Sequence, residues 1–125
     1  MEETLKNIQL RELAHSRSGE KGRDCNVSVI SYRMEDYDLI RSQVTIDAVR
    51  SIYGLITKGG IIRYEVPLIS SLNFVISDVL EGGRSRTLAF DESGKALSSL
   101  ILRLMVQVPD DYIGRAERLN WEKAT

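Results

Sequence analysis

The chain has 125 residues, 42% hydrophobic and 28% charged, a balance that supports one folded domain with one core and excludes a disordered chain. Seventeen Lys plus Arg against eighteen Asp plus Glu leave a formal net charge of -1, so no global field draws the protein to nucleic acid or to an anionic membrane. One Cys and one His permit neither an internal disulfide nor an ordinary structural zinc site.

The acidic start, Met1-Glu2-Glu3-Thr4, is followed by no long apolar run, and no segment approaches the ~18 apolar residues of a transmembrane helix. The expected location is therefore cytoplasmic, with no metal and no cofactor. There is no internal repeat and no low-complexity tract. Residues 1–109 read as a single domain and 110–125 as a polar tail.

Ile8, Leu10 and Leu13 suggest a first strand whose alternation breaks at its end. A polar loop is expected next, from Ala14 to Asn26. It carries the single His and single Cys, three basic side chains, two hydroxyls and two glycines that permit close backbone approach. Val27, Val29 and Ile30 mark a buried second strand ending near Tyr32. Tyr37, Ile40, Val44, Val49, Ile52 and Tyr53 recur at near-helical spacing, with a break at Thr45-Ile46-Asp47, which predicts two helical pieces between about 36 and 56.

Lys58-Gly59-Gly60 ends that unit. Ile61, Ile62, Tyr64, Val66 and Leu68 then form a β-rich run with Pro67 near its end. Residues 70–80 fit either a buried helix or, at Phe74 to Ile76, a strand, and a helix started by Ser70 or Ser71 is the favoured reading. Gly82-Gly83 stops it, Ser85 to Phe90 reads as a strand, and Asp91-Glu92-Ser93-Gly94 as a turn or helix cap. Leu97, Leu100, Ile101, Leu104 and Met105 are spaced for one face of a helix that stops before Val106. The remaining segment, with Tyr112, Ile113, Leu119 and Trp121 as its apolar residues, is either a docked tail or an arm for a partner chain.

This order predicts a two-layer α+β sandwich, with helices on one face of a mainly antiparallel sheet. Ile62, Tyr64, Val66, Thr87 and Ala89 are the candidates for a moderately apolar second face, either solvated or covering a second subunit.

His15-Ser16-Arg17-Ser18-Gly19-Glu20-Lys21-Gly22 followed by Asn26-Val27 resembles the small ferredoxin-fold domain of the acyclic terpene utilisation (AtuA) proteins. Arg63-Tyr64-Glu65-Val66-Pro67, Leu72-Asn73-Phe74-Val75, Gly82-Gly83 with Ser85-Arg86, and Asp91-Glu92-Ser93-Gly94-Lys95-Ala96-Leu97 continue the resemblance in order, over about residues 7 to 108. In that family the domain is often the C-terminal part of a much longer protein and also occurs as a separate small chain. The resemblance implies a ferredoxin-like α+β fold and an association with the catabolism of branched acyl chains as coenzyme A thioesters. Cys25 departs from the small or polar residue expected there, which argues against a catalytic thiol.

Read without the family, Gly19 and Gly22 flank Lys21, with Arg17, Ser18 and Arg23 close by. Such a loop is suited to cradle a phosphate or carboxylate, or it is simply a solvated turn. It is neither a Walker A motif nor a dinucleotide fingerprint, because the glycine spacing and the following Ser or Thr are missing. Lys58-Gly59-Gly60 and Gly82-Gly83-Arg84-Ser85-Arg86 are further basic-glycine clusters able to converge on it, with Arg84 and Arg86 as ligand-binding candidates. His15 suits acid or base work near neutrality, with Asp24 to orient it, or else a structural hydrogen bond. Asn26 and Asn73 either bind ligand or satisfy backbone groups.

Two functions follow. One is an accessory or interaction domain that forms homo-oligomers (a dimer or higher), associates with a larger acyl-CoA-catabolic protein and binds an anionic small molecule at the 15–26 loop. The other is a self-sufficient hydratase or hydrolase acting on an anionic acyl substrate, with His15 as acid or base. RNA binding ranks third, since the aromatic-rich pattern of RNA-binding sheets is missing.

Overall fold

The computed structural model describes residues 4–21, 24–53, 59–77 and 95–124. Strand β1 (Leu5–Gln9) runs through a single turn of 3-10 helix, Leu10–Glu12, into a hairpin made of β2 (Ala14–Lys21) and β3 (Asp24–Ser31). Helices α1 (Tyr37–Gln43) and α2 (Ile46–Tyr53) follow, then β4 (Ile61–Val66) and β5 (Ser71–Ile76). Helix α3 (Lys95–Ile101), strand β6 (Met105–Pro109) and helix α4 (Arg115–Ala124) complete the chain. The main sheet is antiparallel, in the order β2-β3-β5-β4, and β1 pairs with β6 in a separate two-stranded sheet. No helix among the described residues is long and apolar enough to cross a membrane.

Period-two alternation decides which side of the main sheet is core. Cys25, Val27 and Val29 of β3 and Leu72, Phe74 and Ile76 of β5 are buried on one face. Helix α1 lies against β3, α2 against β4, and α3 against β2 and β3 on that side. Ile40, Val49, Tyr53 and Ile101 bring the helices into the same cluster, and Val106 and Val108 bring in the small sheet. Each such side chain removed from water stabilises the fold by about 1.5–3 kcal/mol, before the cost of ordering it.

The two helical pieces predicted between about 36 and 56 are α1 and α2. The break is a helix cap: Thr45 Oγ1 accepts from the Ala48 N–H at 3.1 Å, and the Thr45 carbonyl accepts from the Val49 N–H at 3.0 Å. Replacing Thr45 with Ala is expected to lower stability by about 1 kcal/mol, read from a thermal melt, while Thr45→Ser stays near wild type.

Three expectations are corrected. The polar loop at 14–26 is mostly hairpin, because β2 is, among the described residues, an edge strand. Its inward positions are Ala14, Ser16 and Ser18, and it is held by the backbone ladder to β3 rather than by large apolar side chains. Residues 71–76 are a strand, not a helix. β5 is a central strand, buried on its inner face and half-buried on its outer one, so its apolar run hides the alternation. It is entered through Ser70, whose φ of 52° turns the chain out of a 3-10 turn at Pro67–Ile69. The helix predicted through Met105 ends at Ile101, and 105–109 pair with β1 instead. The strand expected at 85–90 and the turn at 91–94 lie outside the described residues.

Gly59 is required by close approach. A Cβ there would come within 2.7 Å of the Ser77 carbonyl carbon, and Ser77 N–H donates to the Gly60 carbonyl at 2.9 Å. This glycine pair therefore ties the entry of β4 to the exit of β5. A second backbone contact closes the small sheet. Gln43, the last residue of α1, lays its side-chain amide along β6, with Nε2 donating to the Gln107 carbonyl and Oε1 accepting from the Gln107 N–H, both at 2.7 Å.

The 110–125 segment begins as a docked one. Tyr112 OH donates to Asp36 Oδ2 at 2.7 Å, and the Ala116 N–H at the start of α4 donates to Glu12 Oε1 at 3.0 Å, a carboxylate cap at the positive end of the helix.

Candidate functional site

The strand register collects most of the candidate residues on the face of the main sheet opposite the helices. Across the four strands, one row is Gly19, Asn26, Val75 and Ile62. The next is Arg17, Ser28, Asn73 and Tyr64, and the third is His15, Ile30, Ser71 and Val66. His15, Arg17, Gly19, Asn26 and Asn73, separated by up to 58 positions in the chain, therefore share one surface. Tyr64 and Ile62 are each 50% exposed, so this side is open to a ligand among the described residues.

Polarity changes across that surface. The β2 side carries the Arg17 guanidinium and the His15 imidazole, the centre carries the Asn26 and Asn73 amides, and the β4 side carries Tyr64, Ile62 and Val66. Three strand spacings separate the ends, about 14 Å. Ser28 Oγ donates to the Arg17 carbonyl at 3.3 Å, a bond across the β2–β3 ladder. Among the described residues neither asparagine amide is engaged by a side-chain hydrogen bond, so the role of satisfying backbone groups is not one they fill there.

His15 lies at one end of the face. Its ring centroid is 5.2 Å from that of Tyr32, and the Arg115 guanidinium sits 4.1 Å from the same tyrosine centroid. Burial, then the charges of Arg17 and Arg115, hold the His15 pKa below its ordinary 6.5. The imidazole is therefore neutral at pH 7, able to donate one hydrogen bond and accept one. Asp24 does not orient it. In register with Lys21 at the far end of the hairpin, Asp24 is six positions along β3 from the residue opposite His15, about 20 Å away.

Of the remaining candidates among the described residues, Lys21 alone joins this face. Ser18 is in register with Val27 and belongs to the helix-covered face. Lys21 ends β2 opposite Asp24, two positions beyond Gly19 and on the same face, so Gly19 and Lys21 are strand positions rather than parts of a phosphate-cradling loop. Cys25 is buried on the core side at 1% exposure, which removes it from this surface. Gly22, Arg23, Lys58, Arg84 and Arg86 lie outside the described residues. Among the described residues no group of three His, Cys, Asp or Glu is placed to hold a metal.

Ser28, Tyr32 and Arg115 were not among the candidates. The alternation Asn26-Ser28-Ile30 was the available signal for Ser28. Arg115 had none, because its position depends on how the C-terminal segment docks.

The family model for the AtuA ferredoxin-like domain matches residues 8–107. No curated protein matches the chain, and no solved structure does.

Proposed function

The chain belongs to the AtuA ferredoxin-like domain family, and from that premise we propose that it is an accessory domain that holds an anionic acyl ligand on the open face of its main sheet. The observation that carries this reading is the register, which lines up Arg17 and His15, the two asparagines, and Tyr64 with Ile62 from a cationic side to an apolar side. An extended amphiphile with an anionic head fits that order: the head meets Arg17, and the chain crosses the strands toward Tyr64. The reading places the protein beside a larger acyl-CoA-catabolic partner, with self-association into dimers or higher oligomers. It makes the chain a component rather than a complete catalyst.

Calorimetric titration with octanoate tests the proposal, with octanol and acetate as controls. Octanoate is expected to bind more tightly than either control. Arg17→Ala should weaken octanoate about 10-fold or more, the value of a charge-assisted hydrogen bond, and should leave octanol unchanged. Octanoate binding that ignores Arg17→Ala overturns the reading. The neutral His15 favours one competing function, a general base in a small hydratase or hydrolase. Turnover of an acyl thioester that disappears in His15→Gln would support it over the accessory role.

A further inference from the structure

We propose that the C-terminal segment beyond the family domain completes the site, with Arg115 acting beside Arg17 as a second cation, so that the face takes a doubly charged phosphate ester in preference to a monocarboxylate. This rests on the open-face reading and extends it to the charge of the ligand. The family match ends at residue 107, so Arg115 lies outside the matched residues.

Its position is built. Tyr112, three residues before it, is bonded to Asp36 at 2.7 Å, and Ala116, the next residue, is bonded to Glu12 at 3.0 Å. Gly114 admits the Glu12 side chain, since a Cβ at 114 would stand 3.0 Å from Glu12 Cβ. Between these anchors the Arg115 guanidinium rests on Tyr32, which also neighbours His15.

Of the seven other arginines among the described residues, three meet a carboxylate. Arg33 is paired with Asp36 and Glu35, Arg41 with Asp38 and Arg63 with Glu65, while the Arg118 guanidinium donates to the Ile113 carbonyl. Among the described residues Arg17 and Arg115 meet no carboxylate, and what sets them apart from Arg11, Arg50, Arg103 and Arg118, which meet none either, is their place beside His15: Arg17 two positions along β2 and Arg115 across the Tyr32 ring. Two guanidinium groups on either side of a neutral imidazole offer more donors than a monocarboxylate can use, which suits an anion with more than one charge. A phosphate dianion supplies oxygens for both forks and for the imidazole N–H.

Calorimetric titration of the full chain with octyl phosphate, octanoate and inorganic phosphate tests this. Octyl phosphate is expected to bind about 10-fold more tightly than octanoate, and inorganic phosphate weakly, which distinguishes a chain-bearing ester from free phosphate as the ligand. Arg115→Ala should abolish the preference, bringing octyl phosphate to the octanoate level while octanoate changes less than about 2-fold. Arg115→Lys should restore part of it. Tyr112→Phe, which loosens the segment without removing charge, serves as the structural control and should retain more of the preference than Arg115→Ala. Equal losses of both ligands in Arg115→Ala, or no preference in the wild type, overturn the proposal. If Arg17→Ala weakens binding and Arg115→Ala does not, this inference alone fails. If neither does, the open-face reading fails with it.

Discussion

Truncation of Phe74 to alanine is expected to destabilise the protein by about 3–5 kcal/mol, the largest effect of any single substitution considered. Phe74 lies at the middle of the central strand β5, in register with Val27 on one side and Arg63 on the other, and is fully buried beneath the helices. Removing the ring takes away its transfer free energy and leaves a cavity that a four-stranded ladder cannot collapse around. Against a total stability of about 5–15 kcal/mol for a domain, that loss brings the chain near its unfolding threshold. The check is urea denaturation beside Ile62→Ala, which removes a half-exposed side chain from the opposite face and should cost no more than about 1 kcal/mol. Equal midpoints for the two variants would mean that the core has been assigned to the wrong face.

Asp36→Ala is the second large effect, about 2–4 kcal/mol. The carboxylate is buried at 4% exposure, and its Oδ2 accepts both from Tyr112 OH at 2.7 Å and from Arg33 Nε at 3.1 Å. Deleting it leaves the half-buried phenol without its acceptor and Arg33 with only its 3.5 Å contact to Glu35, and a buried donor so orphaned costs more than the net value of the bond it loses. Burial, reinforced by the Asp36 carboxylate, holds the Tyr112 pKa above its ordinary 10, so the phenol remains a donor at neutral pH. Tyr112→Phe removes one bond and should cost only about 1 kcal/mol. A double-mutant cycle on stability measures their coupling, and trypsin cleavage at Arg115 or Arg118 should accelerate in Asp36→Ala as the C-terminal segment loses its anchor. A coupling energy near zero would contradict the bond.

The sequence carried the layer architecture because the helices show their period and β3 alternates openly: the run Asn26-Val27-Ser28-Val29 already separates a wet face from a dry one. It also pointed to His15, Arg17, Asn26 and Asn73. What it did not carry was the surface that unites them, because β2 is almost entirely polar and reads as a loop until its ladder with β3 is known. β5 misled in the opposite direction, since a central strand with Val75 half-buried on its outer side has too little polar alternation to distinguish it from a buried helix. β6 was lost because Val106 and Val108 become a strand only by pairing with β1, about a hundred residues away. Arg115 lies beyond any local reading, since its place follows from two hydrogen bonds to residues more than seventy positions earlier.

The Gln43 amide has a consequence for how this protein behaves in crowded solution. By meeting both main-chain groups of Gln107, it serves as a one-residue surrogate strand and ends the small sheet where another chain would otherwise add on. Because Gln43 is the final residue of α1, that protection lasts only while the helix is formed. Fraying of α1 removes that surrogate and leaves the Gln107 N–H and carbonyl without this partner, available to another strand.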